Sequence, residues 1–194
     1  MVIPQSVTFI DDHVFAYCSS LKTVEIKGSV KEIGVNAFYM CQALENNLPE
    51  GLEELNFSAF EGCTSLKEIT IPKTMRVIES ICFLNCTGLK SVTISGNPLM
   101  NIKSSAFANC TGLERLIISE DVTYIYDNAF YNCTALKSLE LSAGIAHINY
   151  NAFKDCSSLK EIYIPDTVTT IGTLAFEGLA EGAVIIQLFR CRYN

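Results

Sequence analysis

One phrase recurs along this chain at a nearly fixed interval, and that period constrains the fold more than any other feature. A representative copy reads Ala129-Phe130-Tyr131-Asn132-Cys133-Thr134-Ala135-Leu136-Lys137-Ser138-Leu139-Glu140-Leu141. Its phenylalanine returns as Phe15, Phe38, Phe60, Phe83, Phe107, Phe130, Phe153 and Phe176, at separations of 23, 22, 23, 24, 23, 23 and 23 residues. A period of this size means stacked units, each unable to bury its apolar face alone. The expected fold class is therefore a repeat solenoid of about eight copies.

Aligning the copies on the phenylalanine exposes further columns. Five residues earlier stand Ile10, Ile33, Leu55, Ile78, Ile102, Ile125, Ile148 and Ile171. Eight earlier stand Val7, Val30, Leu52, Met75, Leu99, Val122, Ile145 and Val168. Immediately before the ring the residue is small, from Ala37 and Ala59 through Cys82 to Ala175. Six after it comes leucine, from Leu21 to Leu159. Size as well as polarity repeats, so each column reads as one continuous row of a shared core.

Behind that leucine, segments such as Leu66-Lys67-Glu68-Ile69-Thr70-Ile71 and Leu159-Lys160-Glu161-Ile162-Tyr163-Ile164 alternate apolar and polar residues with β-branched content. This is the pattern of a short strand, and equivalent strands one period apart stack in parallel. Pro72 and Pro165 are expected to stop it, because proline donates nothing to a ladder. The Val-x-x-Ile segment then returns along the opposite face. Outward residues of the strands form a ribbon with rows about 4.8 Å apart: Glu25, Glu68, Thr70, Thr93, Arg115, Ile117, Ser138, Glu140, Glu161 and Tyr163 are the candidate ligand-binding residues. Most would also serve simply to keep an exposed sheet soluble. Arg115, Ile117 and Tyr163 stand out as residue types that anchor interfaces.

Two copies depart from the period. One residue is missing between Cys41 and Phe60, where Leu44-Glu45-Asn46-Asn47-Leu48-Pro49 breaks the alternation and predicts a short or kinked strand. One residue is gained around Gly96-Asn97-Pro98, expected as a wider turn. After Phe176, Gly182 to Phe189 no longer follows the pattern, so residues 177–194 read as an atypical C-terminal cap or a truncated repeat.

Composition closes off several classes. With 49% hydrophobic and 18% charged residues and no Gly/Ser/Pro-rich break, residues 1–194 read as one elongated domain. A net charge of −7 argues against a nucleic-acid partner. The longest uncharged apolar run is far short of the ~20 residues that span a bilayer, so the chain is not expected to be membrane-embedded. Val2-Ile3-Pro4 reads as the tail of a preceding repeat, which suggests a piece of a longer protein. Of nine cysteines, seven (18, 41, 63, 86, 110, 133 and 156) follow the repeat phenylalanine by three residues and read as a column of small buried thiols.

Catalysis lacks the inventory. His13 and His147 occupy different repeat positions, and buried ladder thiols make poor nucleophiles. No phosphate loop or CxxC pair occurs, so no enzyme activity, cofactor or metal is expected. Asn56-Phe57-Ser58, Asn85-Cys86-Thr87, Asn109-Cys110-Thr111 and Asn132-Cys133-Thr134 match a glycosylation sequon, but Asn and Thr also shape turns, which is the favoured reading. Lys22, Lys67, Lys90, Lys137 and Lys160 form a column best read as a solvated edge.

The composite pattern Ile-Pro-x-x-Val-x-x-Ile-Gly-x-x-Ala-Phe-x-x-Cys-x-x-Leu-Lys-x-Ile-x-Ile, matched closely by Asp155-Cys156-Ser157-Ser158-Leu159-Lys160 and Thr170-Ile171-Gly172-Thr173-Leu174-Ala175-Phe176, resembles the BspA-type leucine-rich repeat. The resemblance implies a right-handed superhelix with a parallel concave β-sheet. It also implies a secreted or cell-surface setting in a host-associated microbe and a non-catalytic role in adhesion or protein binding. The expected partner is a protein or glycan surface ligand, host extracellular matrix included. The competing reading is a structural spacer that displays another domain.

Overall fold

The computed structural model describes residues 1–95 and 100–188 and shows a parallel β-solenoid of about eight coils of about 23 residues. The described residues contain no helix. Each coil visits two ladders in turn. The concave sheet takes β1 (Val2–Ile3), β3 (Glu25–Ile26), β6 (Glu68–Ile71), β8 (Ser91–Ile94), β10 (Arg115–Ile118), β12 (Ser138–Glu140), β14 (Glu161–Pro165) and β16 (Val184–Leu188). A second, lateral sheet takes β2 (Phe9–Ile10), β4 (Glu32–Ile33), β5 (Glu54–Leu55), β7 (Val77–Ile78), β9 (Met100–Ile102), β11 (Val122–Ile125), β13 (His147–Ile148) and β15 (Thr170–Ile171). Every pairing is parallel. The Val-x-x-Ile return is thus itself a ladder, although most of its strands are only two residues long.

Between the lateral and concave sheets the chain turns tightly around the phenylalanine. Two residues in each turn adopt left-handed backbone, one on either side of the ring. The earlier position holds His13, Asn36, Ser58, Ile81, Ser105, Asn128, Asn151 and Leu174. The later one holds Tyr17, Met40, Gly62, Asn85, Asn109, Asn132, Asp155 and Gly178. Asn, Asp and Gly tolerate this region best, which explains their enrichment here and supports a turn-forming role for the sequon asparagines. Their side chains add a ladder: Asn109 Nδ2 donates to Asn85 Oδ1 at 2.9 Å, and Asn132 Nδ2 to Asn109 Oδ1 at 3.0 Å.

The core is a set of stacked columns. The eight phenylalanine rings lie face to face, with successive centroids 5.0 to 5.6 Å apart. Such contacts contribute about 0.5–1.5 kcal/mol each beyond the area they bury. The small residue before the ring, replaced only by the half-exposed Val14 in the first copy, follows from backbone approach: Phe38 N–H donates to the Ala59 carbonyl and Phe107 N–H to the Ala129 carbonyl, both at 2.8 Å. Residues this close leave room for Ala or Cys and little more. Isoleucine and leucine columns are buried through the middle of the stack, whereas Ile171 in the last described coil is half exposed.

The shortened copy interrupts both sheets. Leu44 to Pro49 forms no strand, and the lateral ladder divides between β5 and β7. Asn46 stands where other copies place an apolar core residue such as Val24 or Ile69. Its side chain turns to the neighbouring strand, accepting from Val24 N–H and donating to the Val24 carbonyl, both at 2.6 Å. Asn47 Oδ1 likewise accepts from Thr70 N–H at 3.0 Å. Two side-chain amides therefore satisfy groups that a strand backbone would otherwise pair. The gap left beside Val24, Ile33, Phe38, Leu44 and Phe60 is only about 10 Å³, so the core closes up around the shortened copy.

Three local expectations need revision. Pro165 is the last residue of β14 and pairs with Leu188, because the end of a strand tolerates a missing N–H; Pro72 does lie just beyond β6. Leu99 falls outside the described residues, as does the turn expected at Gly96-Asn97-Pro98; the residue paired with Val122 is Met100, with a register shift before Tyr124. Finally, Val184–Leu188 does not leave the repeat, since Glu161 pairs with Val184 and Tyr163 with Ile186, one period of 23 residues on. Ile185, in register with the buried Ile162, is half exposed among the described residues.

Candidate ligand-binding face

The alternation of each concave strand sends Ile69, Val92, Leu116, Leu139 and Ile162 into the core and their neighbours outward. The outward residues form two rows. In one, Glu68, Ser91 and Arg115 are direct cross-strand partners, as are Ser138, Glu161 and Val184. In the other, Thr70, Thr93 and Ile117 stand side by side, as do Glu140, Tyr163 and Ile186. Of the ten candidate residues, Thr93 and Tyr163 are half-buried and the others exposed. Ile117 is 48% exposed.

The structure does not bring all ten together. Glu68, Thr70, Thr93, Arg115 and Ile117 share the sheet β6–β8–β10, whereas Ser138, Glu140, Glu161 and Tyr163 share β12–β14–β16. Glu25 sits on the separate β1–β3 pair, beyond the interrupted copy. Val184 and Ile186 extend the rows and were missed as face residues. The signal was their 23-residue offset from Glu161 and Tyr163, hidden by an apolar run in which inward and outward positions look alike.

Charge on this face is segregated. The outward rows carry Glu25, Glu68, Glu140 and Glu161 with Arg115; Glu25 pairs with Lys27 just beyond β3 at 3.6 Å, while Arg115 has no ion-pair partner among the described residues. The lysine column runs along the edge, exposed throughout. Lys90 pairs with Glu114 at 3.0 Å, and its hydrogen bond, then its charge, holds the Glu114 carboxyl below the usual range. An exposed sheet with aromatic, aliphatic and guanidinium groups among small polar ones has the make-up of a surface that can bind a partner.

Reactive groups are placed otherwise. The thiols of Cys63, Cys86, Cys110, Cys133 and Cys156 are buried and pushed up by desolvation, so they remain protonated and poorly nucleophilic. His13 lies in a turn, while His147 stacks on Tyr124 in the lateral sheet. Among the described residues no three His, Cys, Asp or Glu side chains converge to hold a metal, and no helix is long and apolar enough to cross a membrane.

The BspA type leucine rich repeat region family matches residues 1–98 and 53–181, in six copies. The chain belongs to this family. Solved relatives agree with the assignment. A leucine rich cell surface protein from Faecalibacterium prausnitzii is 26% identical over 97% of this chain and 59% of its own, with a TM-score of 0.58. A leucine rich repeat protein from T. pallidum is 27% identical over 94% of this chain and 78% of its own, with a TM-score of 0.67. One from Eubacterium ventriosum shares the fold, at 23% identity, TM-score 0.66, and coverage of 92% of this chain and 42% of its own. The present BspA-type chain thus spans less than two thirds of the F. prausnitzii protein and less than half of the E. ventriosum protein. No curated protein sequence matches it significantly.

Proposed function

We propose that this BspA-type repeat is a non-catalytic binding module of a cell-surface or secreted protein, engaging a protein or glycan surface ligand through the concave sheet. The observation that carries the reading is the run of outward residues on β10, β12 and β14. Arg115 and Ile117 are exposed on β10 and Tyr163 is half-buried two concave strands on, on a backbone that is already ordered and loses little entropy on binding. The cell-surface description of the F. prausnitzii relative supports the setting. Leucine-rich repeats of this family are generally non-catalytic, and the protonated state of the buried thiols agrees with that.

The test is binding of the purified chain to an array of extracellular-matrix proteins and glycans, beside a variant with Arg115, Ile117 and Tyr163 all changed to Ala. The reading expects saturable binding that the variant loses while remaining folded. Undiminished binding by the variant would move the site off the concave sheet.

A further inference from the structure

The lateral sheet changes character along its length. At β4, β5 and β7 its outward positions carry Glu32, Glu54 and, just beyond, Glu79. From β9 onward they carry rings and amides. Asn101, Tyr124, His147 and Thr170 form one cross-strand row. Two positions on, Lys103, Tyr126, Asn149 and Gly172 follow in the same order along the backbone ladder. Tyr150 stands beside them, 46% exposed.

These side chains are already arranged. The Tyr124 and His147 rings stack at 4.3 Å and 19°, and Tyr124 lies 5.7 Å from Tyr126. His147 Nδ1 is 3.0 Å from Thr170 Oγ1, which fixes the imidazole. Lys103 Nζ sits 4.6 Å from the centroid of Tyr126, so the one lysine of the patch is engaged with a ring. Beyond Tyr126 come Asn149 and Gly172, both shorter than the ring. Asn101 Oδ1, next to Tyr124, is buried without a hydrogen-bond partner, an acceptor that costs free energy unless something donates to it.

Ladder stacking alone accounts for Tyr124 against His147. It does not account for the concentration of half-exposed aromatic rings with neutral amide and hydroxyl groups on one face. Tyrosine offers an apolar body with a polar tip, and binding sites combine such surfaces with a few placed polar groups. A sugar ring has the complementary make-up: C–H bonds on its face, hydroxyl donors and acceptors on its rim. The near absence of uncommitted charge disfavours an ionic ligand. We infer that the patch formed by Tyr124, Tyr126, His147, Asn149 and Tyr150 is a second binding site, separate from the concave sheet, for a neutral saccharide.

The protein contains no tryptophan, so its fluorescence comes from tyrosine, and four of its eight tyrosines lie between residues 124 and 150. The intact chain is titrated with a panel of neutral oligosaccharides (cello-, malto-, and N-acetylchito-tetraose, and lactose) by tyrosine fluorescence and NMR. Tyr126→Ala, Tyr150→Ala and the Arg115/Ile117/Tyr163 triple variant are run in parallel, each checked for folding by denaturation. The inference expects saturable binding of at least one sugar, weakened about tenfold or more by Tyr126→Ala and unchanged in the concave variant. Tyr150→Ala, altering an exposed ring, keeps the test open if Tyr126→Ala does not fold. It is overturned if no sugar binds up to about 10 mM, an affinity tenfold weaker than about 1 mM. It is equally overturned if binding survives both single substitutions.

Discussion

Cys110 donates its S–H to the carbonyl of Phe83, one coil earlier, at 3.3 Å. The same bond recurs from Cys41 to Phe15 at 3.0 Å, from Cys63 to Phe38 at 3.1 Å, from Cys86 to Phe60 at 3.2 Å, and from Cys133 to Phe107 and Cys156 to Phe130 at 3.4 Å. The cysteine column is therefore more than small filler. Each thiol occupies little volume and also gives a second donor to a carbonyl that already accepts a backbone N–H within its own coil, tying successive coils together in a way alanine does not.

This arrangement makes stability sensitive to alkaline pH. An unfolded thiol titrates near 8.5. In the folded chain burial raises Cys41 to about 11, Cys156 to about 12, and Cys86, Cys110 and Cys133 well above their ordinary value. Above pH ~8.5 the unfolded chain has lost protons that the native chain keeps, so the contribution present at neutral pH declines as pH rises. Each fully buried thiol accounts for up to about 1.4 kcal/mol per pH unit. Urea unfolding at pH 7, 9 and 10 measures the slope, and Cys110→Ser, which retains a donor for Phe83, should make it shallower by one thiol's share.

Asn46 replaces a missing stretch of strand by bonding both backbone groups of Val24. Asn46→Ala leaves that buried pair unsatisfied and should cost about 1–3 kcal/mol in chemical denaturation. Asn46→Asp keeps an acceptor for the N–H but sets a carboxylate against the Val24 carbonyl, and should be at least as damaging. If both variants unfold like the parent, the amide does not have this role.

Ile81 holds left-handed backbone at φ 54°, where Asn36, Asn128 and Asn151 stand in other coils. A β-branched residue there is strained. Ile81→Asn should raise stability by about 1 kcal/mol, read as a Tm increase of about 2–4 °C for a chain of this size.

Much of the fold was legible because the same columns repeat with the same sizes: Ile33, Leu55 and Ile78 announce one row, Leu44, Leu66 and Leu89 another. The concave rows were legible too, since strand alternation places Glu68, Thr70, Arg115 and Tyr163 outward without knowledge of the rest. The lateral ladder was not, because strands of two residues such as Val77–Ile78 leave no alternation to read. Nor was the role of Asn46, whose polarity signalled a broken strand but not the two bonds to Val24. The patch at Tyr124, Tyr126 and His147 emerges only once register is fixed, because 23 residues separate Tyr124 from the imidazole it stacks on.

Hydrogen–deuterium exchange with and without a partner captured on the array tests the concave-sheet assignment most directly. The account predicts that the added protection falls on β8, β10, β12 and β14, around Arg115, Ile117 and Tyr163. Protection confined to the turn asparagines or to the lateral strands, with the concave strands unchanged, would contradict it.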